Sequence, residues 1–328
     1  IDKYPGDLEK ITPEHVDSLL KLVSELGVKW VRLSVNWSNI VDTAGNYHWT
    51  KIDQIVQGLA ARKIEISLCI NGGHKRYTQS RAPETSEEIE WWKEFTGQLI
   101  ERYKANVSHW ELWNEPNTIW FWKPRPKAEK YVALMKEFYT LLKEIDPKAK
   151  ITGGSLARLD LVYADSLFQL GLGKYIDAFS FHPYNEFPEA IINPVRVSVK
   201  TPNWYIESDH NINQLKEIVD SVNPAIKLWQ GECGYPSQDN GSGWMGNGPW
   251  SPNIQAKWLL RRMLTDLSFN AEVSSYFCMV EYIAGGNVDE GKGIVNSKGL
   301  LSLKDLSKKP AYKAYQNLIS TLNGRLKA

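Results

Sequence analysis

Residues 107–117, VSHWELWNEPN, decide the fold. The first seven are dense in apolar and aromatic side chains, which suits a strand covered on both faces in a parallel sheet. Pro116 enforces its end, because proline has no N–H to continue a ladder. Helix-period segments flank it, residues 87–103 before and residues 128–145 after. The unit is therefore helix, strand, helix, and it repeats in both directions. Towards the N-terminus come a helix over 52–62, a strand over 64–70 (IEISLCI) and a strand over 29–35 (KWVRLSV). Before these, Val16, Leu19, Leu20, Val23 and Leu26 recur at helical spacing over 16–27 and end at Gly27. Towards the C-terminus, strands over 150–153, 178–182, 226–231 and 275–280 alternate with helices over 163–170, 212–222, 253–269 and 310–322.

Strict alternation predicts an α/β fold with a parallel sheet. Seven strands are each followed by a helix, and one opening helix has no strand before it. The expected architecture is a (β/α)8 TIM barrel whose first strand either lies upstream of Ile1 or is replaced by the irregular stretch 1–11. A doubly wound open sheet is the alternative, but no Gly-rich phosphate turn follows an early strand. No linker, repeat or low-complexity segment divides the chain, and the Gly/Asn/Ser-rich stretch 237–253 falls between a strand and its helix. Residues 1–328 read as a single barrel domain.

Composition narrows the function. With 39 basic and 38 acidic residues the formal charge is +1, so nothing advertises nucleic acid as a partner. Cys69, Cys233 and Cys278 are odd in number and widely spaced, with no zinc-binding pattern, and no apolar run reaches the roughly 18 residues of a membrane span. The start at Ile1 rather than methionine is read as a processed terminus. Fourteen tryptophans are more than core filling demands, and flat aromatic faces suit sugar rings.

Reactive residues of such a barrel sit where strands end and βα loops begin. Two acids stand there: Glu115 in HWELWNEPN and Glu232 in KLWQGECGYP. They are three βα units apart at about 30 to 40 residues per unit, which places them on the fourth and seventh strands of an eight-strand count. Those strand ends face each other across the barrel mouth. Retaining glycoside hydrolysis needs two carboxyl groups about 5 to 5.5 Å apart, one to protonate the leaving oxygen and one to attack the anomeric carbon. Glu111, four residues before Glu115, has the same strand parity and lies deeper, so it reads as a buried partner for a cation.

The motif Trp113-Asn114-Glu115-Pro116-Asn117 resembles the fourth-strand signature of glycoside hydrolase clan A, especially families 39 and 5. The resemblance implies Glu115 as acid/base, Asn114 as a contact to the substrate's 2-hydroxyl, and Glu232 as nucleophile. It also implies that Arg32 in KWVRLS helps keep the nucleophile ionised, and that His182 and Tyr184 in FSFHPY lie near it. The eighth strand departs from the clan, which commonly has a Trp as subsite floor there, whereas this chain reads Tyr276-Phe277-Cys278-Met279-Val280-Glu281-Tyr282. Tyr282 or Tyr276, or Trp244 or Trp250 from the preceding loop, are the candidates to replace it.

The expectation is thus a retaining hydrolase of β-glycosidic bonds in an oligo- or polysaccharide, with no metal and no cofactor, and with a secreted or periplasmic location favoured over a cytoplasmic one. Its rival is an inactive carbohydrate-binding barrel. The substrate-contact candidates are Arg32, Trp37, His74, Asn114, His182, Tyr184, Trp204, Trp244, Trp250 and Glu281. His74 has loop hydrogen bonding as its competing role, Glu281 has a structural ion pair, and the loop tryptophans, Trp120 and Trp122 included, have packing among themselves. Trp91, Trp92 and Trp258 fall within helices and are assigned to packing.

Overall fold

The computed structural model describes residues 13–79, 81–192, 211–239, 245–284 and 293–322. Seven strands form one sheet in sequential order: β1 (Trp30–Asn36), β2 (Glu65–Asn71), β3 (His109–Leu112), β4 (Lys150–Ala157), β5 (Ala178–His182), β6 (Lys227–Cys233) and β7 (Val273–Tyr276). Every pairing is parallel. The long helices are α1 (Pro13–Leu26), α3 (Thr50–Ala61), α5 (Ser86–Tyr103), α6 (Ala128–Ile145), α7 (Leu161–Gln169), α8 (Ile212–Val222), α9 (Pro252–Ser268) and α10 (Pro310–Leu322), with the short α2 (Trp37–Ile40) and α4 (Lys75–Thr78) at strand ends. The fold is the TIM barrel expected from the alternation.

Local chemistry explains the element boundaries. Helix α5 opens with a capping box, in which Thr85 accepts from Glu88 N while Glu88 accepts from Thr85 N, and Asn211 and Gln214 do the same for α8. Ser251 caps α9, and Pro252 takes the first helical position, where a missing N–H costs nothing. All five residues of β5 are buried, as a strand covered by helices outside and by the barrel interior requires.

The barrel interior is layered. At its lower end Trp30, His109 and Trp229, from β1, β3 and β6, bring their rings within 4.6 to 5.6 Å of one another and plug the floor. Two residues further along the same strands the interior turns polar: Arg32 lies above Trp30 and Glu111 above His109. Outward-facing Leu33, Val35, Ile66 and Leu68 join the main apolar core under the helices.

A pairing that would close the ring is not present among the described residues. Among the described residues β1 and β7 share no ladder, although eight long helices surround the seven strands and α1 packs against both α3 and α10. The seam between β1 and β7 opens on a cavity of about 670 Å³, walled by Leu20, Val23, Val31, Val273 and Ile319, which continues upward to Asn114 and Glu232. The place expected for a first strand is therefore this seam. Residues 1–11, the proposed substitute, lie outside the described residues.

The last strand differs from its expected span of 275–280. It ends at Tyr276, after which Phe277 N donates to Cys233 O, and the chain continues into an antiparallel ribbon of β8 (Tyr282–Ala284) and β9 (Ile294–Asn296). The apolar run Phe277–Val280 continues past the ladder, so hydrophobicity alone overshoots the strand, and three-residue strands are too short to carry a period. No helix among the described residues is long and apolar enough to cross a membrane.

Candidate active site

The turn after β3 is held on all sides. Trp113 N donates to Ile70 O at 2.8 Å and Glu115 N to Ser155 O at 2.9 Å, which ties the segment to β2 and β4. Asn117 locks it further, its amide donating to Ala157 O and Asp160 while its carbonyl oxygen accepts from Ala157 N. Tyr163 Oη donates to Pro116 O. Trp113 and Glu115 adopt left-handed φ values of 65° and 46°, unfavourable for side chains with a Cβ and sustained by these surrounding bonds. The result aims the Glu115 carboxylate into the barrel mouth, 6 % exposed.

Glu232 ends β6 between two glycines whose backbones are closely approached. A Cβ on Gly231 would lie 2.1 Å from Ser180 Oγ, and one on Gly234 would lie 1.6 Å from the backbone oxygen of Phe277. The backbone of Phe277 leaves room only for glycine at 234, and at 231 any Cβ would force the Ser180 side chain to turn aside.

Arg32 gathers the acids. Its guanidinium donates to both oxygens of Glu111 (2.6 and 2.8 Å), to Glu232 Oε2 (3.1 Å) and to Asn114 Oδ1 (2.8 Å). Burial works against the charge on Arg32, but the Glu111 and Glu232 carboxylates override it and hold the guanidinium well above its usual range. Burial likewise opposes ionisation of Glu111, yet Arg32 and the Ser155 hydroxyl, which donates at 2.6 Å, keep it below the ordinary carboxylate value. The other oxygen of Glu232 accepts from Tyr184 Oη at 2.6 Å. Burial and then the negative charge of Glu232 raise the Tyr184 phenol well above its normal value, so it remains a donor.

His182 is fully buried, and its Nδ1 lies 3.0 Å from Glu115 Oε1. The His and Tyr of FSFHPY, both expected beside Glu232, are thus divided: β5 ends at His182, which meets Glu115, and Tyr184, two residues past that end, meets Glu232. Donor atoms of Glu115, His182 and Glu232 all lie within 4.8 Å of one another. These three are also the group best placed to meet a cation, but Arg32 and Tyr184 already occupy the Glu232 oxygens, and His182 occupies Glu115.

The remaining sequence candidates scatter. Trp37 is 1 % exposed and stacks on Tyr77 and Phe95, so it belongs to the core rather than to the substrate contacts. His74 is also buried: its Nδ1 accepts from Arg76 N at the start of α4 and its Nε2 meets Val41 O, which makes it a loop-fixing residue. Glu281 pairs with Lys309 at 2.7 Å, and Lys309 in turn donates to Ser237 and Ser297, so the ion-pair role holds there. Trp250 packs on Tyr235 and Trp258. Trp204 and Trp244 lie outside the described residues. Among the floor candidates, Tyr276 and Tyr282 both line the cavity beside Glu232, Tyr276 with its hydroxyl bonded to the Tyr235 backbone and Tyr282 accepting from Asn296; Phe277, not among the candidates, lines it too, its ring 6.0 Å from that of Tyr282.

Sequence reasoning missed Asn36 and Asn71, register partners at the ends of β1 and β2. Asn71 donates to Asn36 and accepts from Asn114 N, so the pair buttresses Asn114 from the side. A polar residue at the C-terminal end of each of two adjacent strands was the available signal.

Comparison with known proteins places this geometry. The structure resembles a family 39 glycoside hydrolase from Bacteroides cellulosilyticus, with TM-score 0.70 and 19% identity over 94% of this chain and 61% of that one. It also resembles the family 39 enzyme of Xanthomonas axonopodis pv. citri (TM-score 0.67, 18% identity, 94% and 63% covered). A monomeric β-xylosidase from Caulobacter crescentus is similar to the same degree (TM-score 0.65, 18% identity, 94% and 65% covered). The chain therefore spans less than two thirds of the length of these three, and at such identity they speak to fold. No curated protein sequence matches it. The model of the cellulase family, glycosyl hydrolase family 5, matches residues 9–186, a span that contains Arg32, the Asn-Glu-Pro turn and the His182–Tyr184 strand end. With more than half of its residues matched by that model, and with the clan A strand-end motifs on a clan A barrel, the chain belongs to glycosyl hydrolase family 5.

Proposed function

We propose that the protein is a retaining β-glycoside hydrolase acting on an oligo- or polysaccharide, with Glu232 as nucleophile and Glu115 as acid/base. The observation that carries the reading is the separation of the two carboxyl groups, whose nearest donor atoms lie within 4.8 Å. Direct attack fits a spacing of about 5 to 5.5 Å, whereas inversion leaves room for a water at about 6.5 to 9.5 Å.

Roles divide according to partners. Glu232 accepts from Arg32 and Tyr184, two donors that favour a charged carboxylate, as a nucleophile requires. Among the described residues the Glu115 carboxylate has the imidazole of His182 at hydrogen-bond distance, a group that accepts or donates according to its protonation and so suits an acid that becomes a base. In the first step a Glu232 oxygen bonds to the anomeric carbon, the bond from that carbon to the leaving oxygen breaks, and the Glu115 proton moves to that oxygen. In the second, water gives a proton to Glu115, its oxygen bonds to the anomeric carbon, and Glu232 leaves as carboxylate. Asn114, fixed by Arg32 and Asn71, stands beside the ring to hold a hydroxyl in both steps.

A 2-fluoro aryl β-glycoside accepted by the protein labels Glu232, located by peptide mass after digestion, and Glu232→Ala abolishes turnover while circular dichroism stays native. Label on another residue, or full activity in Glu232→Ala, overturns the assignment.

A further inference from the structure

Among the tryptophans on the described part of the barrel mouth, one is not used in packing. Trp37, Trp113 and Trp122 are all within 1 % of complete burial, and Trp250 lies against two aromatic neighbours. Trp120, in contrast, is 71 % exposed, next to Ile119 at 51 %. An indole and an isoleucine exposed beside a cleft form an apolar patch with no packing partner among the described residues.

The loop that carries it is fixed at both ends. Thr118 donates through N and Oγ1 to Glu115 O, Trp122 N donates to Thr118 O, and Trp113 Nε1 donates to Phe121 O at 3.1 Å. The buried Trp122 ring then lies 5.3 Å from Trp113 and 6.0 Å from Tyr131. Trp120 is therefore presented from a braced turn five residues after Glu115, and little ordering is left to be done when a ligand meets it.

Its position relative to the two acids gives it a side. The cavity that Trp120 lines includes Glu232, Arg32 and Asn114 but, among the described residues, not Glu115, His182 or Tyr184. On the function proposed above, the sugar that becomes attached to Glu232 sits in this cavity, and the leaving group departs past Glu115, outside it. We propose that Trp120 is the stacking platform for a second pyranose, the one adjacent to the attacked sugar on the side retained by Glu232, so that the preferred glycone has at least two units. The electron-rich indole face meets the C–H face of a pyranose, and this contact does not depend on the pattern of hydroxyls. Trp120 thus sets the length of the glycone rather than the identity of its sugar.

The test compares kcat/KM on aryl β-glucoside with aryl β-cellobioside, and on aryl β-xyloside with aryl β-xylobioside, in the native protein, Trp120→Ala and Trp120→Phe. The disaccharide-to-monosaccharide ratio of the accepted pair is well above one in the native protein, falls about tenfold in Trp120→Ala, and is partly kept by Trp120→Phe. A ratio that stays within about threefold of native in Trp120→Ala overturns the proposal, as does an effect confined to substrates lengthened on the leaving side. Binding of cellotriose and xylotriose to Glu115→Gln, read by tryptophan fluorescence, separates this idea from the function on which it rests. If no glycoside is turned over but trisaccharide binding is seen and is lost on adding Trp120→Ala, the hydrolase reading fails and the platform holds. Turnover with an unmoved ratio leaves the hydrolase and removes the platform.

Discussion

Replacing Arg32 by lysine keeps the charge and removes the fork. Arg32 serves five acceptor atoms on four residues, Glu111 Oε1 and Oε2, Glu232 Oε2, Asn114 Oδ1 and Cys69 Sγ. A lysine ammonium is a single point with three donors and cannot bridge acids on β3 and β6 together. Glu111 is 1 % exposed and Glu232 is 14 % exposed, so the ammonium stays with the deeper acid, whose unpaired charge costs more. Glu232 then loses one charged hydrogen bond, worth about 1.5 to 3 kcal/mol. Because that bond favours the ionised form, its loss raises the pH at which Glu232 takes a proton by about 1 to 2 units. The assay is kcat/KM against pH for an aryl β-glycoside, with unfolding by denaturant as control. The acid limb moves up by that amount, the rate at low pH falls about 10 to 100-fold, and the Tyr184 bond to the carboxylate remains. An acid limb within about 0.3 units of native, in a folded variant, refutes the claim that Arg32 maintains the charge on Glu232.

Glu111→Gln tests the buried side of the same cluster. The folded value for Glu111 is depressed, so its contribution to stability is present above the ordinary carboxylate range and lost as pH falls through the folded value. Urea titrations from about pH 7 to pH 3 show a steeper acid loss in the native protein than in the glutamine variant, which begins about 3 kcal/mol less stable at neutral pH; parallel profiles contradict the assignment. Trp37→Leu empties part of the stack between Tyr77 and Phe95 and costs about 2 to 4 kcal/mol in denaturant while KM for an aryl glycoside is unchanged, whereas a raised KM with native stability places Trp37 in the cleft after all. Gly234→Ala drives a methyl into the backbone of Phe277 and costs about 3 kcal/mol or more, and a variant with native stability shows that the close approach is not rigid.

The barrel was legible because its signal is repeated. Each strand is a short run of apolar residues ended by Gly, Pro or a polar side chain, and each helix has its own period, so even an error of two residues at a boundary leaves the order intact. Of the site candidates, Asn114, Glu115, His182, Tyr184 and Glu232 stand at or just past strand ends, and Arg32, deeper in β1, reaches Asn114 and Glu232 from below. The aromatic contacts were not legible. Trp37 and His74 sit at strand ends like the true cluster, but the two short helices α2 and α4 turn them outward into the core, and four-residue helices leave no periodic trace. Trp120, a residue with no motif around it, is distinguished only by exposure, which a sequence does not display. Glu281 follows the same logic in reverse, since its partner Lys309 lies at the foot of α10 and no local spacing joins them.

Among the described residues no ladder crosses the seam between β1 and β7, which bears on what holds this site together. In a closed barrel the backbone ladder fixes every strand against both neighbours, and side chains at the mouth inherit their spacing from it. Among the described residues β1 is laddered to β2 alone and β7 to β6 alone, and other described contacts relate β1 to β6 across the seam. At the floor these are the rings of Trp30 and Trp229, 5.6 Å apart, and outside the barrel the bonds from Tyr312 and Gln316 of α10 to backbone oxygens of α1. At the mouth the tie is the Arg32–Glu232 pair itself. The ion pair that favours a charged Glu232 therefore also sets how far that carboxylate stands from β1, and through Glu111 and Asn114 how it stands towards β3 and Glu115. Arg32 thus bears on both the charge and the position of the proposed nucleophile, acting with Tyr184 on its other oxygen.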